Sequence, residues 1–519
     1  MPTYFRPGVY IEEYLRPLSD VASDPSEAAA AFVGKTSAGG PVGPILVTSW
    51  MQYQALFGAI TYDTQDLSYA VYSYFQNGGR GCYVVRALAS DATPASLTVY
   101  DGSGTTSGDE VFTLTASAPG TWASGSTSPS RVYATVQSSG TGTNRFDLII
   151  EVGSGSYLAA REQFVDLSMD PTDPRYAVDL VNSPLVGSQY VTLTPSVNYT
   201  YNASTAPGPG VSSKVPLTGG SDGVAAIDLV ASAQRLDAVD RNLVVNVPGA
   251  TASVVNSLIT WAETSGRHFI VADVPKPAAN ESAAASVSAM TAFADSLSNS
   301  SQVAVYGPWV YVADPVSKAG ALRLTAPGGA VVGQILRTDA SRGVHKAPAG
   351  VQTTLSGVVQ PYLNYTNTQQ DSIATSAVNL LKTVPGSGVV IWGARTQSLI
   401  TPDRYVPVRR LLIALKTSLY NITRFAVFEG NDEDLRSTVE EVVSSYLQAQ
   451  FDLGAFKGDS PDEAFYVVCD DTNNPPSSED AGTINIEVGV ALKSPAEFVV
   501  IRLGQQQATA VATDSLEEV

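Results

Sequence analysis

The first strand-like pattern in the chain stands apart from everything that follows it. In residues 8–12 the side chains alternate between an apolar and a polar face: Val9 and Ile11 against Tyr10 and Glu12. A polar segment rich in Pro, Ser, Asp and Glu then precedes the first buried run, at 28–33. A strand so distant from its own domain cannot easily pair within that domain, so we predict an N-terminal arm over 1–27.

Strand and helix patterns alternate over 28–90 and again over 213–384. Amphipathic helices are predicted over 50–57 and 69–75, and a buried strand over 82–88. Strands that alternate with helices of this length are typical of a layered α/β domain. We therefore predict one α/β core domain made of 28–90 and 213–384.

The composition between these two parts shifts to Ser, Thr and Gly. Period-two stretches recur at 111–115, 131–136, 145–152 and 190–193. Such stretches predict a mostly antiparallel β-domain over 91–212, inserted in a loop of the core domain. Its end is marked by a Pro-Gly linker at 206–210.

The pattern over 385–496 predicts a separate α+β domain. Helices are expected over 408–423 and 434–451. The clearest strand pattern, 483–492, places five apolar residues on one face: Ile484, Ile486, Val488, Val490 and Leu492. A second strand begins a C-terminal arm over 497–519 and includes Phe498, Val499, Val500, Ile501 and Leu503. The predicted fold class is thus multidomain, α/β and α+β, with an inserted β-domain and two extended arms.

Composition excludes several classes of protein. The 519 residues are 44% hydrophobic and 15% charged, which disfavours disorder, and their net charge of −19 disfavours a general nucleic-acid binder. Two Cys and two His leave little material for a disulfide framework, a zinc site or acid–base chemistry. The chain shows neither a signal-peptide pattern nor an apolar stretch of membrane-spanning length, so we expect it to fold in the cytoplasm.

Motifs that suggest small-molecule chemistry are incomplete. Gly34-Lys35-Thr36 follows an apolar strand, but Ala29 occupies the position where a phosphate-binding loop requires glycine. The glycines of 327–333 lack dinucleotide-binding spacing. His268 is interpreted as structural, and His345 as a loop residue without catalytic partners. We therefore predict no catalytic, cofactor or metal site.

Charge is unevenly distributed along the C-terminal third. Residues 395–424 carry six basic side chains against one acidic, whereas 425–519 carry four against nineteen. Within the basic block, Arg409, Arg410, Lys416 and Arg424 lie away from an apolar stripe of leucines. A solvated helix face explains this pattern, and so does a docking face for an acidic partner.

The order and spacing of many short segments resembles the contractile tail sheath family of phages and phage-tail-like injection systems. The resemblance covers nearly the whole chain. The segments that carry it are 6–13, 31–36, 74–79, 82–86, 166–171, 175–179, 217–223, 326–329, 343–348, 405–410, 428–432 and 495–498.

This resemblance implies a mechanical, non-enzymatic subunit without cofactors. Sheath subunits stack as hexameric rings around an inner tube, with baseplate and terminator proteins at the ends, and drive the tube through a target envelope. Strand 8–12 and strand 497–503 would be the arms that add to neighbouring sheets, and strand 483–492 would receive them. The C-terminal domain would form the inner layer, with Arg409, Arg410, Lys416 and Arg424 facing the tube, and the inserted domain would face outward. No membrane insertion or nucleic-acid binding is expected.

Two other classes remain open from the residues alone. A Ser/Thr-rich β-domain also occurs in surface adhesins, which need an export signal. An α/β nucleotide-binding enzyme would need a convergent site, which the scarcity of His and Cys disfavours.

Overall fold

The computed structural model describes residues 28–497 except for 37–41, 59, 61–65, 102–109, 125–130, 141, 143, 155–156, 184, 202–213, 317–319 and 481. Both predicted arm strands, at 8–12 and 497–503, lie outside the described residues apart from Glu497, and so does the linker at 206–210.

The described residues form a mixed α/β fold with several sheets. Its helices are α1 (Trp50–Phe57), α2 (Asp66–Gln76), α3 (Ala177–Val181), α4 (Leu229–Gln234), α5 (Ala252–Ser265), α6 (Ala283–Asp295), α7 (Gly328–Arg342), α8 (Asn367–Thr375), α9 (Val406–Thr423), α10 (Glu433–Asp452), α11 (Pro461–Ala464) and α12 (Pro476–Asp480). Its strands are β1 (Ala29–Gly34), β2 (Ile45–Val47), β3 (Cys82–Arg86), β4 (Ser96–Tyr100), β5 (Glu110–Ala116), β6 (Arg131–Ser138), β7 (Arg145–Ser154), β8 (Tyr157–Ser168), β9 (Val191–Pro195), β10 (Val215–Pro216), β11 (Leu243–Asn246), β12 (His268–Asp273), β13 (Val303–Gly307), β14 (Val310–Ala313), β15 (Leu322–Thr325), β16 (Val358–Pro361), β17 (Val378–Val384), β18 (Gly388–Ile391), β19 (Phe465–Val468) and β20 (Glu487–Val490).

Eight strands build the largest sheet, in the order β18-β17-β13-β12-β11-β1-β3-β2. Its six inner strands are parallel, and the two edge strands are antiparallel. β1 and β3 come from before residue 90, and they pair directly with β11, which comes from after residue 213. The two sequence segments predicted to share a domain therefore share this sheet.

Apolar side chains cover both faces of the large sheet, as expected for parallel strands. One core includes side chains of α1, α2 and α7, among them Tyr53, Tyr74 and Ile335. The opposite core includes side chains of α4, α5, α6 and α8. The predicted helix over 50–57 coincides with α1, and the predicted helix over 69–75 lies within α2.

The Ser/Thr-rich segment folds into two antiparallel sheets, β10-β6-β7-β8 and β4-β5-β9. They share a third core that contains Phe112, Phe146 and Leu193. The period-two pattern of this segment correctly predicted antiparallel strands.

The large sheet continues beyond the predicted start of the C-terminal domain at residue 385. β17 and β18 form an antiparallel hairpin that pairs Val384 with Gly388, so a boundary at 385 falls inside the hairpin. Pairing keeps β18 with the large sheet, because a separated edge strand would leave its ladder partners unpaired. The predicted helices over 408–423 and 434–451 correspond to α9 and α10.

Candidate assembly site

A two-stranded antiparallel sheet in the C-terminal region has open edges. β19 pairs with β20 in a register that sets Phe465 opposite Val490 and Val467 opposite Val488. The Ala491 N–H donates to the Ala464 carbonyl. Because antiparallel pairs alternate between bonded and non-bonded, Phe465, Val467, Val488 and Val490 direct their backbone N–H and C=O groups away from the partner strand. The Phe465 N–H donates to the Pro461 carbonyl at the end of α11. Within the described residues, no hydrogen bond is found for the outward backbone groups of Val467, Val488 and Val490.

The inner face of this sheet is apolar and packs on a fourth core. That core contains Leu411 and Leu415 of α9, and Val439, Val443 and Leu447 of α10. Ile484, Ile486, Val488, Val490 and Leu492 all pack against it, together with Phe465 and Val467. The predicted apolar face of 483–492 is therefore observed.

The strand predicted over 483–492 is shorter in the structure than in the prediction. Only Glu487–Val490 pairs with β19 as a strand. Before Glu487, side chains form hydrogen bonds with the backbone in place of a neighbouring strand. The Asn485 N–H donates to Asn474 Oδ1 at 2.6 Å, and the Asn474 side-chain amide donates back to the Asn485 carbonyl at 2.9 Å. Asn473 donates to the same carbonyl. Ile484 and Ile486 keep their inward orientation without belonging to the strand.

An open groove runs beside β19. Its walls are the polar face of α10 and the start of α11, and it is lined by Glu441, Ser444, Ser445, Gln448, Pro461, Asp462, Phe465, Tyr466 and Val467. On the other face of the sheet, the Tyr466 hydroxyl donates to Glu487 Oε1 at 2.9 Å, and this bond raises the pKa of Tyr466. The outward backbone groups of β19 thus have open space beside them.

Helix α9 packs on two cores at once. Val406 and Ile413 belong to a core of the large sheet, whereas Leu411 and Leu415 belong to the C-terminal core. The helix lacks a single apolar stripe with an opposite solvated face, which is the arrangement expected from its leucines.

Arg410 does not lie on an exposed basic face, contrary to the prediction from the sequence. Its guanidinium donates to Asp339 Oδ1 at 2.8 Å and also to Asp339 Oδ2, with only 4% of the Arg410 side chain and 1% of the Asp339 side chain exposed. Because Asp339 lies on α7, the sequence spacing of α9 contained no sign of this partner. Arg410 is therefore unavailable to an external surface.

The other three predicted basic residues lie closer to solvent. Arg409 is half-buried, and Lys416 and Arg424 are exposed. Within the described residues none of the three forms an ion pair. Arg424 lies 5.9 Å from the ring centroid of Tyr420.

Large apolar side chains surround the end of α9, a feature that the sequence reasoning missed. Tyr420, Phe425 and Val427 are substantially exposed, and Phe428 is fully exposed with a φ of 72°. A non-glycine residue in the left-handed region carries a conformational cost that surrounding structure must offset. The sequence signal was the run Phe425-Ala-Val-Phe428 directly after Arg424.

Glu497, the last described residue and the first of the predicted C-terminal arm, is held by two side chains. Arg395 Nε lies 2.6 Å from Glu497 Oε1, and the Tyr405 hydroxyl donates to Glu497 Oε2 at 3.2 Å. The arm therefore begins beside the hairpin β17–β18 and the start of α9.

The glycine-rich motifs serve packing. At the start of α7, the Gly328 N–H donates to the buried Asp273 carboxylate at 2.6 Å, so a carboxylate of the chain itself occupies the end of the helix. A Cβ on Gly329 would lie 2.1 Å from the Ala70 carbonyl oxygen, and one on Gly333 would lie 2.7 Å from the Tyr74 carbonyl oxygen. Both glycines let α7 approach α2 closely. Gly34 ends β1, and residues 37–41 after it lie outside the described residues.

Neither histidine has a nucleophile among its described partners. His268 is completely buried and stacks on Trp261 at 4.4 Å, and burial lowers its pKa to about 4. No group of His, Cys, Asp and Glu in the described ranges could hold a metal ion. Likewise, no described helix is long and apolar enough to span a membrane.

Comparison with known proteins gives a consistent match in sequence. Residues 222–397 match the family model of the phage tail sheath protein central domain. The tail sheath protein of Enterobacteria phage T4 is 30% identical over 149 residues, which are 28% of this chain and 22% of the phage protein. The tail sheath protein of Vibrio phage KVP40 is 28% identical over 176 residues, which are 33% of this chain and 25% of that protein. The chain therefore spans about a quarter of the length of the curated relatives it matches.

Solved structures match over much more of the chain. A chain of the anti-feeding prophage baseplate has a TM-score of 0.56 and 21% identity, covering 97% of this chain and 100% of that one. The contracted PVC sheath complex of an extracellular contractile injection system has a TM-score of 0.56 and 20% identity, covering 98% and 99%. A sheath tail protein from Listeria innocua has a TM-score of 0.57 and 12% identity, covering 90% and 95%. These likenesses show a shared fold.

Proposed function

We propose that this chain is the structural subunit of a contractile sheath, because residues 222–397 match the family model of the phage tail sheath protein central domain. In this proposal the subunits polymerise as stacked hexameric rings around an inner tube, and contraction of the rings drives the tube through a target envelope. The subunit carries out no catalysis and needs no cofactor. Its partners are further copies of itself, the tube protein, and baseplate and terminator proteins at the ends.

The observation that carries the proposal is the pair of open edges on β19 and β20. A two-stranded sheet is marginally stable, and unpaired edges invite additional strands. Val467 offers a backbone donor and an acceptor on one edge, and Val488 and Val490 offer them on the other. Beside β19, the groove under α10 leaves space for such a strand.

The arms of neighbouring subunits are the proposed occupants of these edges. Strand 8–12 and strand 497–503 would each add to the sheet of another copy by β-augmentation, which gives affinity through main-chain hydrogen bonds. The anchoring of Glu497 by Arg395 and Tyr405 would fix the point from which the C-terminal arm extends. Arms that cross between copies would hold the rings together while they rotate.

The same proposal assigns an orientation to the subunit. The C-terminal region after β18 would form the inner layer, and the inserted domain at 91–212 would face outward. Lys416 and Arg424, with half-buried Arg409 nearby in sequence, remain the proposed tube-facing cations. The exposed aromatic residues Tyr420, Phe425 and Phe428 extend that surface with apolar area, which is enriched in the centres of interfaces.

A single proline tests the receiving edge. Val467→Pro removes an outward N–H of β19, whereas the inner ladder with β20 does not use that group. We expect the variant to remain a folded monomer by circular dichroism and to form no ordered polymers by electron microscopy. Val467→Ala, which keeps the N–H, is the matched control and should polymerise. Sheaths of normal length from Val467→Pro would overturn the proposed use of this edge.

A further inference from the structure

Four basic side chains converge where α7 ends. Arg342 is the last residue of α7, His345 and Lys346 follow in the next loop, and Lys493 follows β20. We call these four residues the basic cluster. Arg342, Lys346 and Lys493 are exposed, and the structure shows no ion pair between them and any described residue.

Val344 belongs to the C-terminal core against which Leu492 packs, so the loop that carries His345 and Lys346 lies near Lys493. Burial lowers the pKa of His345 first, and Lys346, Lys493 and Arg342 lower it further, while no carboxylate raises it. His345 Nε2 is also buried without a hydrogen-bond partner among the described residues. Lys493 Nζ donates to the Gly454 carbonyl at 3.2 Å, but no described carboxylate pairs with the cluster, which is unusual on a chain whose net charge is −19.

The described chain begins next to this cluster. Ala28, the first described residue, lines the same small cavity as Val344, the neighbour of His345. The segment that leads into Ala28 carries Asp20, Asp24 and Glu27, and no Lys or Arg occurs from 17 to 27. An extended chain spans at most about 3.5 Å per residue, so Asp24 lies within about 14 Å of Ala28. The acidic segment is therefore tethered beside the basic cluster.

We propose that residues 20–27 dock on the basic cluster of their own subunit through Asp20, Asp24 and Glu27. Three carboxylates face three exposed cations, so the charges match in sign and number. The tether supplies a high effective concentration, and the contact therefore needs little intrinsic affinity. Being electrostatic and exposed, the contact weakens at high ionic strength.

Docking would set the reach of the N-terminal arm, a consequence that rests on the proposed function. With 20–27 free, residues 13–27 separate strand 8–12 from Ala28 and span at most about 50 Å. With 20–27 docked, only residues 13–19 remain free, and they span at most about 25 Å. The docked linker thus restricts the strand to an acceptor sheet on a near neighbour.

Carbodiimide coupling of the full chain tests the docking. The reagent joins a Lys amine to a carboxylate that touches it, and peptide mass spectrometry identifies the pair. A mixture of ¹⁴N- and ¹⁵N-labelled protein distinguishes links within one chain from links between copies. The ion pair of Lys214 with Glu151, at 3.0 Å, serves as the positive control, and Lys276, which lies over Trp309, serves as the negative control.

We expect Lys346 or Lys493 to couple to Asp20, Asp24 or Glu27 of the same chain, so that both linked peptides carry the same nitrogen isotope. The yield should fall about threefold or more at 1 M salt, where the Debye length is about 3 Å instead of about 10 Å, while the Lys214 control changes less. Arg342→Gln removes a charge of the cluster but no coupling site, so it should lower the same yield. Arg337→Gln, also exposed and on α7, should not.

Three results would overturn the docking. They are coupling of the positive control alone, coupling of Lys346 and Lys493 to Asp514, Glu517 or Glu518, and links to 20–27 that join different isotope labels. None of these results depends on polymer formation, so the docking and the sheath function can fail separately.

Discussion

Arg410 on α9 and Asp339 on α7 form a buried ion pair held by two hydrogen bonds. It joins the helix that carries the C-terminal core to a helix packed on the large sheet. Two charges removed from water must satisfy each other, because each alone would carry a large desolvation cost. The pair therefore fixes how the C-terminal region sits on the sheet.

Replacing one partner of the ion pair should lower the stability of the fold strongly, and replacing both should lower it much less than the two single effects together. We expect Arg410→Met and Asp339→Leu each to lower the free energy of unfolding by about 3–5 kcal/mol, because each leaves a buried charge unpaired. The double variant should lose clearly less than the sum of the two losses. Urea unfolding followed by circular dichroism measures all three. Additive losses would show that the two groups act independently. Arg409→Met, at a half-buried neighbour, is the control and should lose less than either buried variant.

The ion pair illustrates what periodicity can and cannot predict. Periodicity predicted α9 to within two residues at its start, because the apolar positions within a helix are a local property. It placed Arg410 on the solvated side, because spacing within one helix does not include Asp339, 71 positions earlier. Burial of a charged residue is decided by its tertiary partner, which a single-helix pattern does not contain.

The sheet of β19 and β20 shows the same limit at the level of a strand. Alternation predicted the inward face of 483–492, since packing follows side-chain direction. It overestimated the length of the strand, because the side chains of Asn473 and Asn474, and not a neighbouring strand, form hydrogen bonds with the backbone of Asn485. The pairing of β20 with β19 could not be predicted either, since pairing depends on which strands meet in three dimensions.

Acid should destabilise the protein through His268. Burial holds its folded-state pKa at about 4, below the ordinary value of 6.5, while Asp237 acts in the opposite direction. Between these two pH values the unfolded chain binds more protons than the folded one, so stability falls as the pH falls from about 6.5 towards 4. The full shift corresponds to about 3 kcal/mol. His268→Phe should keep the stack on Trp261 and show a smaller loss of urea stability between pH 7 and pH 4.5. An unchanged pH dependence would contradict this role.

Close packing of α7 on α2 depends on Gly329. A methyl group there would meet the Ala70 carbonyl oxygen at 2.1 Å, and backbone cannot move aside as a side chain can. We expect Gly329→Ala to lower the free energy of unfolding by about 1–3 kcal/mol. Gly43→Ala is the matched control, because nothing lies within 4 Å of its added methyl group and its φ is not in the left-handed region. Equal stability of the two variants in thermal unfolding would argue against the close contact.

Deletion of residues 1–14 should separate folding from assembly. The deleted segment contains strand 8–12 but none of the residues of the described cores. We expect a monomer with unchanged circular dichroism and thermal midpoint, and no ordered polymers in electron micrographs. Addition of the intact chain should restore only mixed or short assemblies. Polymers of normal length from the deleted chain alone would show that the N-terminal strand is dispensable.

Reversal of two cations should weaken the proposed contact with the tube. Lys416 and Arg424 are exposed and lack ion-pair partners within the described residues, so Lys416→Glu with Arg424→Glu should leave folding nearly unchanged. If the tube surface is acidic, like charges across the interface become unfavourable and less tube protein co-purifies with the sheath. Phe428→Ser tests the apolar part of the same surface and should also reduce co-purification. A matched double reversal, Lys276→Glu with Arg337→Glu, changes the net charge equally at positions outside this surface. Unchanged tube recovery with Lys416→Glu and Arg424→Glu, or an equal loss with the matched pair, would remove these two residues from the interface.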